Sequence, residues 1–196
     1  MNKKEKRAEL LNAAAQGVEL RKKLCENLID DIIDVATLLS KIVRKGGAVF
    51  IAGNGGSAAD SQHFVTELVV RLTGKFERPS IPAVAFTADS SLLTAAGNDY
   101  GFDKIFARQA ESLIGKKDAL VLISTSGNSA NLIEAAKVAR KKNVAIVGLL
   151  GGRGGKLKKY ATKSVIVPSN SVQRIQEEHI FIIHNIVHLM EQELFG

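Results

Sequence analysis

The chain contains very little cysteine, tryptophan and proline. Of its 196 residues, one is cysteine, none is tryptophan and three are proline. A lone Cys25 excludes an internal disulfide and a cysteine-based zinc cluster, which favours a cytosolic protein, and a free cysteine is typically a small packed residue. No apolar run approaches the roughly 18 residues of a membrane span. The basic N-terminal stretch has no apolar segment behind it, so we expect neither a membrane partner nor a secretory signal.

Aromatic residues are also scarce, at 5%, whereas the net charge is +7. A basic protein can bind nucleic acid, but here the lysines and arginines come in small groups without one dense tract. The chain also lacks an aromatic platform on which bases could stack. We therefore expect no nucleic-acid partner, and the positive field suits an anionic small molecule.

The apolar pattern changes its period along the chain. Residues 1–45 show helical spacing and predict two helices, while residues 46–196 alternate short apolar runs with helical patterns. Such alternation predicts an α/β domain whose mainly parallel sheet carries helices on both faces. We expect one domain, with the N-terminal helices at an assembly interface. Strands are predicted at 48–52, 83–86, 119–123, 144–150 and 164–167, and helices at 58–72, from 90 onward, at 130–142 and at 172–194.

A glycine-rich loop, Gly53 to Ser57, follows the first predicted strand and opens a helix. Ligands of such sheets bind beyond the carboxyl ends of the strands, and this loop predicts a cradle for an anion or a sugar oxygen. Two alternatives stay open. Gly53, Gly55 and Ala58 match a dinucleotide fingerprint, although no acidic residue stands clearly at the next strand end. A tight turn without a ligand is the other.

A second loop, residues 124–129, carries four hydroxyls before the next predicted helix. Hydroxyls together with free backbone amides suit a phosphate monoester. The loop lacks the glycine–lysine step of a nucleotide-triphosphate loop, so no magnesium is implied. Asn131 and Glu134 are placed to cap the helix start. The alternative is that the loop only caps the helix, but a cap needs one hydroxyl and would leave the other three unexplained. The four hydroxyl residues are Ser124, Thr125, Ser126 and Ser129.

Acid–base candidates lie on two predicted helices. His63 and Glu67 are four residues apart, so they share a helix face and could act as a metal pair or as a base with its partner. Gln176 and His184 are eight apart on the last helix, about 80° around its axis, and can face the same cleft. Three of the four histidines lie on this helix, and each is also consistent with a buried, hydrogen-bonded imidazole.

Four separated motifs together resemble one protein family. They are GNGGSAADSQHFVTEL at 53–68, AAGNDYGF at 95–102, ISTSGNSANL at 123–132 and RIQEEHIFIIH at 174–184. In this order they are similar to the phosphoheptose isomerases, which are sugar isomerase (SIS) domain proteins. The resemblance covers nearly the whole chain and implies a three-layer αβα sandwich with a five-stranded sheet, N-terminal helices and a long C-terminal helix.

The resemblance also implies an activity and a set of site residues. The family converts sedoheptulose 7-phosphate to D-glycero-D-manno-heptose 7-phosphate, the first step toward the heptose of lipopolysaccharide core or related surface glycans. It implies one zinc ion per subunit and a homotetramer with active sites at subunit interfaces. By similarity, Ser124, Thr125, Ser126 and Ser129 hold the phosphate; Asn54, Gly55, Gly56, Asn98 and Asp99 contact the sugar, with Glu67 and Gln176; and His63, Glu67, Gln176 and His184 gather around zinc.

An aldose–ketose isomerase needs a base for a carbon-bound proton and a group that moves protons between oxygens. We assign these roles to Glu67 and His184. The alternative is a non-catalytic SIS-type regulatory or replication-initiator-associating protein; in that relative the two corresponding residues are replaced, whereas this chain keeps both. A phosphosugar isomerase with a different substrate is a third hypothesis.

Overall fold

Parallel strands alternate with helices over most of the chain. The computed structural model describes residues 1–196. Every helix is too short or too polar to cross a membrane. The helices are α1 (Lys3–Asn27), α2 (Ile29–Arg44), α3 (Gly56–Val69), α4 (Ser90–Tyr100), α5 (Ile105–Leu113), α6 (Ala130–Lys141) and α7 (Val172–Phe195), and the strands are β1 (Val49–Gly53), β2 (Ala83–Ala85), β3 (Ala119–Ser124), β4 (Ala145–Gly151) and β5 (Lys163–Val167).

The sheet has five strands, all parallel, in the order β2-β1-β3-β4-β5. This confirms the predicted sheet. Because β1 pairs with β2 on one side and β3 on the other, the strand order reverses between β1 and β3. Gly53 at the end of β1 lies beside Ile123 near the end of β3. The two loops that follow these strands therefore leave the sheet side by side, at the point where such folds bind ligands.

Two apolar cores fill the space on either face of the sheet. One contains 24 buried residues contributed by the strands and by α1, α2, α3 and α7. The other contains 18, mainly from the strands and from α4, α5 and α6. Successive residues of β1 alternate between them: Val49 and Ile51 join the first core, Phe50 and Ala52 the second. The strand is therefore apolar throughout, as is typical of a parallel strand covered on both faces.

The structure differs from the sequence prediction in three places. Helix α5 was not predicted, because its nine residues give too short an apolar pattern to stand out. Helix α3 ends at Val69, not near Leu72, because the side chain of Arg78 donates to the carbonyl oxygens of Glu67 and Leu68, which a longer helix would use for its own amides. Cys25 is exposed, contrary to the packed cysteine expected. Helix α1 buries only Leu20 and Leu24, and Cys25 lies outside that contact.

His179 on α7 is the buried imidazole that the simplest hypothesis predicts. Its residue is fully buried, and its Nε2 lies 3.3 Å from the carbonyl oxygen of Leu150. The other ring nitrogen, Nδ1, is buried without a partner. Burial lowers the pKa of His179 from 6.5 to about 4, against a smaller raising effect of the Leu150 carbonyl. The ring is therefore neutral in the folded protein at neutral pH.

This imidazole makes stability depend on pH. The unfolded chain takes up a proton near pH 6.5 and the folded protein only near pH 4, so stability is lost as pH falls through that window, by about 3 kcal/mol in all. We expect His179→Met to remove this slope, measured by urea unfolding at successive pH values. His188→Gln, an exposed change on the same helix, should leave it in place. Parallel profiles for all three proteins would contradict the prediction.

Candidate active site

The loop after β1 is shaped by two glycines. Gly55 has φ +55°, a conformation that other residues rarely adopt. A Cβ on Gly56 would lie 2.3 Å from the amide Nε2 of Gln176. Gly56 therefore leaves room for the side chain of Gln176, and α3 begins here without any side-chain cap. The positive end of the helix dipole faces the same edge of the sheet.

The hydroxyl loop after β3 is ordered by its own side chains. The Oγ of Ser124 accepts a hydrogen bond from the amide of Gly127 at 3.1 Å and lies 3.2 Å from the Oγ of Ser129. Ser129 stands at the N-cap of α6, yet its hydroxyl makes no capping bond. Thr125 is half-buried and Ser126 is exposed. The hydroxyls are thus gathered at a helix start but are not consumed by capping it, which is the arrangement that a phosphate group requires.

A neighbouring loop supports the hydroxyl loop from behind. Gly127 has φ +63°, and a Cβ there would lie 2.1 Å from the carbonyl oxygen of Gly154. Gly155 approaches Ser126 almost as closely, since its Cβ would lie 2.5 Å from the Ser126 carbonyl oxygen. Side chains at these glycines would push the two loops apart. The glycines after β4 therefore help to set the conformation of the hydroxyl loop.

The predicted caps of α6 are only partly found. Asn131 does accept a bond from a first-turn amide, that of Leu132, at 2.9 Å. Glu134 caps nothing, because its carboxylate bonds to Lys104 and Lys137. The hydrogen bond from Lys104 is the largest of the effects that lower the pKa of Glu134. Glu134 links α6 to the short helical turn at Phe102–Lys104.

The predicted acid–base residues of α3 and α7 do meet. The Nε2 atoms of His63 and His184 are 2.8 Å apart, with the rings edge to face. Oε1 of Glu67 lies 3.7 Å from the other nitrogen of His63, Nδ1. The side chain of Glu67 is 14% exposed, whereas that of His63 is 37% exposed. The three side chains form a row in which His63 stands between the carboxylate and His184.

Gln176 occupies a different part of the same helix pair. Its amide lies against Gly56, seven residues before His63 on α3. The donors of this region suit zinc, which binds imidazole nitrogen and carboxylate oxygen. As placed, they do not form a ready metal site: no group of three or more histidine, cysteine, aspartate or glutamate side chains could hold an ion. The carboxylate of Glu67 faces Nδ1 of His63, whereas His184 faces Nε2, so the two lie at opposite nitrogens of the His63 ring and do not converge with it on one ion.

Asp60 is a buried carboxylate that the sequence did not single out. It lies one turn before His63 on α3, its residue is 8% exposed, and its Oδ2 is buried without a partner. Burial raises the pKa of Asp60 to about 6, and His63 partly opposes this. The carboxyl group is therefore half-protonated under mildly acidic conditions, unlike an exposed aspartate.

A cavity of about 460 Å³ opens beside the glycine loop. Asn54 and Gly55 line it together with Thr87, Thr94 and Phe102. Asn98 and Asp99 follow on the same helix as Thr94, but both are exposed, and the amide of Asn98 donates to the carboxylate of Asp99. Within one chain they do not line this cavity, so their contact with sugar stays a prediction.

Comparison with known proteins identifies the family. A model of the SIS domain matches residues 14–151. The phosphoheptose isomerase of Sulfurimonas denitrificans is 49% identical over 171 residues, which make up 87% of this chain and 87% of that protein. The chain belongs to the phosphoheptose isomerase family. Its fold agrees with the structure of phosphoheptose isomerase GmhA from Neisseria gonorrhoeae, with a TM-score of 0.89 at 36% identity over 95% of this chain and 98% of that one.

A second phosphoheptose isomerase structure, from Francisella tularensis, has a TM-score of 0.90 at 31% identity and covers 98% of this chain and 100% of that one. These structural matches extend beyond the SIS domain match. They take in β5 and most of α7, the helix that carries Gln176 and His184. These two phosphoheptose isomerases therefore share the fold of the helix pair on which His63, Glu67 and His184 lie.

Proposed function

We propose that this protein isomerises sedoheptulose 7-phosphate to D-glycero-D-manno-heptose 7-phosphate. The observation that carries the proposal is the approach of His63 and His184 beside the carboxylate of Glu67. The hydroxyls of the loop between β3 and α6 are gathered at the start of α6. Strand β3 pairs with β1, the strand that leads into α3. The site thus offers both an anchor for a phosphate and groups that can move protons, which is what an isomerase of a phosphorylated ketose needs.

The reaction moves two protons through an enediol. Glu67 removes a proton from C1 of the ketose and returns it to C2, while His184 protonates the oxygen on C2 and takes the proton from the oxygen on C1. His63, in contact with both residues, orients the His184 ring and can pass on its proton. The hydroxyl loop holds the far end of the substrate, so the reacting carbons are presented in one position.

Zinc is proposed at this site as well. We infer that His63 and His184 would be the first two ligands, through the ring nitrogens that face each other, and that Glu67 and Gln176 would have to turn from their present positions to complete the set. A bound zinc ion would supply positive charge for the developing oxyanion. Titration with zinc against a chelating dye should show one ion per chain, and His63→Gln should weaken binding at least tenfold. Equal zinc affinity of the two proteins would contradict these ligands.

Removal of one hydroxyl should weaken the grip on the phosphate. Hydrogen bonds to a charged group contribute about 1.5 to 3 kcal/mol. Ser126 is exposed and its Oγ accepts from the backbone amide of Asn128 at 3.1 Å, which leaves the hydroxyl proton for a ligand, so we expect Ser126→Ala to raise KM for the sugar phosphate about tenfold or more, with little change in kcat. Ser80→Ala, at an exposed position without side-chain partners, is the control. An unchanged KM would place the phosphate elsewhere.

The interaction-protein hypothesis is less favoured. A protein without catalysis has no need of a carboxylate and two imidazoles in contact, and this chain retains both Glu67 and His184. A single assay separates the hypotheses. The protein is incubated with sedoheptulose 7-phosphate and zinc in D2O, and the aldose is followed by NMR. An enediol route incorporates solvent deuterium at C2; binding without turnover would favour the alternative.

The exposed apolar residues of the N-terminal helices support assembly. Leu10, Leu11 and Val18 on α1 are 57 to 73% exposed, and Ile29 and Ile33 on α2 are 41 and 43% exposed. We propose that these helices pack against other copies in a homotetramer whose active sites lie at subunit interfaces. Light scattering of the eluted protein should give four times the mass of the 21.0 kDa chain. A monomer at micromolar concentration would contradict the assembly.

A further inference from the structure

A reciprocal amide pair joins the two ligand loops. Nδ2 of Asn54 donates to Oδ1 of Asn131 at 2.9 Å, and Nδ2 of Asn131 donates to Oδ1 of Asn54 at 2.8 Å. Asn54 directly follows β1, and Asn131 is the second residue of α6. Asn131 is 2% exposed, whereas Asn54 is half-buried and lines the cavity. The pair is therefore a bridge between the glycine loop and the hydroxyl loop, with one end in the interior and one at the cavity.

The orientation of Asn131 follows from a backbone contact. An asparagine amide can be turned over without changing its shape, so its oxygen and nitrogen must be assigned from their partners. The backbone amide of Leu132 lies 2.9 Å from one of these atoms, and a backbone N–H can only donate. That atom is the oxygen. The nitrogen of Asn131 is then the donor to Oδ1 of Asn54, and the oxygen of Asn131 accepts from Nδ2 of Asn54 as well as from Leu132.

The orientation of Asn54 follows in turn. Asn131 offers Asn54 one donor, its Nδ2, and one acceptor, its Oδ1. Asn54 must therefore place its own Oδ1 opposite the Nδ2 of Asn131 and its own Nδ2 opposite the Oδ1 of Asn131. Each group of the Asn54 amide has capacity left: a second N–H and a second lone pair. These are the atoms that remain for a ligand in the cavity, and the Leu132 amide determines through Asn131 where they stand.

We propose that Asn131 is a positioning residue that holds Asn54 in the one amide orientation suited to the sugar hydroxyls. The inference rests on the proposed isomerase function. Asn131 itself is buried and touches no substrate; it acts through Asn54. A freely rotating Asn54 would present donor and acceptor in either order, and the sugar would lose a defined partner without any loss of the phosphate anchor.

Kinetics of Asn131→Leu test this. The side chain is similar in size but offers Asn54 no partner. We expect KM for sedoheptulose 7-phosphate to rise about five- to tenfold, the effect of one hydrogen bond, with inhibition by inorganic phosphate unchanged. Gln109→Met, which also removes a buried amide bonded to two carbonyls, is the control for lost stability. A parallel loss of phosphate inhibition would overturn the proposal, because the hydroxyl loop itself would then be disturbed.

A double-mutant cycle separates positioning from a structural role. If Asn131 acts through Asn54, then Asn131→Leu should have no further effect on KM once Asn54→Ala is present. Additive effects would overturn the proposal. NMR of the Asn54 side-chain NH2 group provides a readout that needs no turnover: its bonded proton should lose protection from exchange in Asn131→Leu. If the unsubstituted protein shows no isomerase activity but protection is lost in Asn131→Leu, only the isomerase function is contradicted. If the unsubstituted protein is active but protection is unchanged in Asn131→Leu, only the positioning role is contradicted.

Discussion

Replacement of Glu67 by glutamine should nearly abolish isomerisation and leave substrate binding intact. A positioned general base contributes about 10² to 10⁴ in rate, and glutamine has a similar shape but cannot take a proton from carbon. We expect kcat to fall about 10³-fold while the dissociation constant for sedoheptulose 7-phosphate, measured by calorimetry, changes less than a few fold. The backbone of Glu67 is held by Arg78, so this side-chain change leaves the end of α3 in place.

The matched control is Glu77→Gln. Glu77 is a largely exposed carboxylate paired with Arg71 on the surface, and its loss should not affect kcat. The exchange of C1 protons with D2O gives a second measurement, because it reports the first proton transfer alone. Exchange at the wild-type rate in Glu67→Gln would show that another group removes the carbon proton, and would assign Glu67 to substrate or metal binding only.

The sheet and the loops could be predicted from the sequence because their signals are local. A fully buried parallel strand gives a short apolar run, and a loop at its carboxyl end shows its glycines or hydroxyls directly in the sequence. The meeting of His63 with His184 was implied by the family resemblance alone, because helical spacing relates His63 only to Glu67 and His184 only to Gln176.

The bridging residues could not be predicted, because their role depends on distant partners. Asn131 looks like a helix cap, and only the adjacency of β1 and β3 brings it to Asn54, 77 residues away. Arg78 lies in a proline-containing stretch with the composition of a surface loop. Nothing in its neighbours indicates that its partner is Glu191, 113 residues further along. Sequence periodicity carries no information about such contacts.

Arg78 should be the charged residue on which the stability of this site most depends. Its side chain is fully buried, and its Nε donates to Oε1 of Glu191 on α7 at 2.9 Å. Its other nitrogens donate to the carbonyl oxygens of Glu67 and Leu68 at 2.7 Å each. Arg78 therefore joins the end of α3 to the far part of α7. The same two helices also meet at His63 and His184. Arg78 keeps the two helices that bear the acid–base row in register.

We expect Arg78→Met to cost about 3 to 5 kcal/mol of unfolding free energy, because it leaves the Glu191 carboxylate buried without its charged partner, with only the Leu72 amide at 3.3 Å. In urea titrations at pH 7 this should appear as a lower midpoint, and in a thermal melt as a fall of about 10 °C. Arg71→Met breaks the exposed pair with Glu77 and should cost at most about 1 kcal/mol.

The double variant Arg78→Met, Glu191→Met distinguishes the unpaired charge from the lost carbonyl bonds. Removing both charges relieves the buried carboxylate, so part of the stability should return. In both variants the carbonyl of Glu67 is left without a donor and that of Leu68 keeps only the Ile81 amide at 3.1 Å, so this share of the loss should persist. No recovery at all would mean that the two carbonyl bonds to the end of α3, and not the ion pair, carry the stability. A single variant as stable as Arg71→Met would show that α3 and α7 are held together by apolar packing alone.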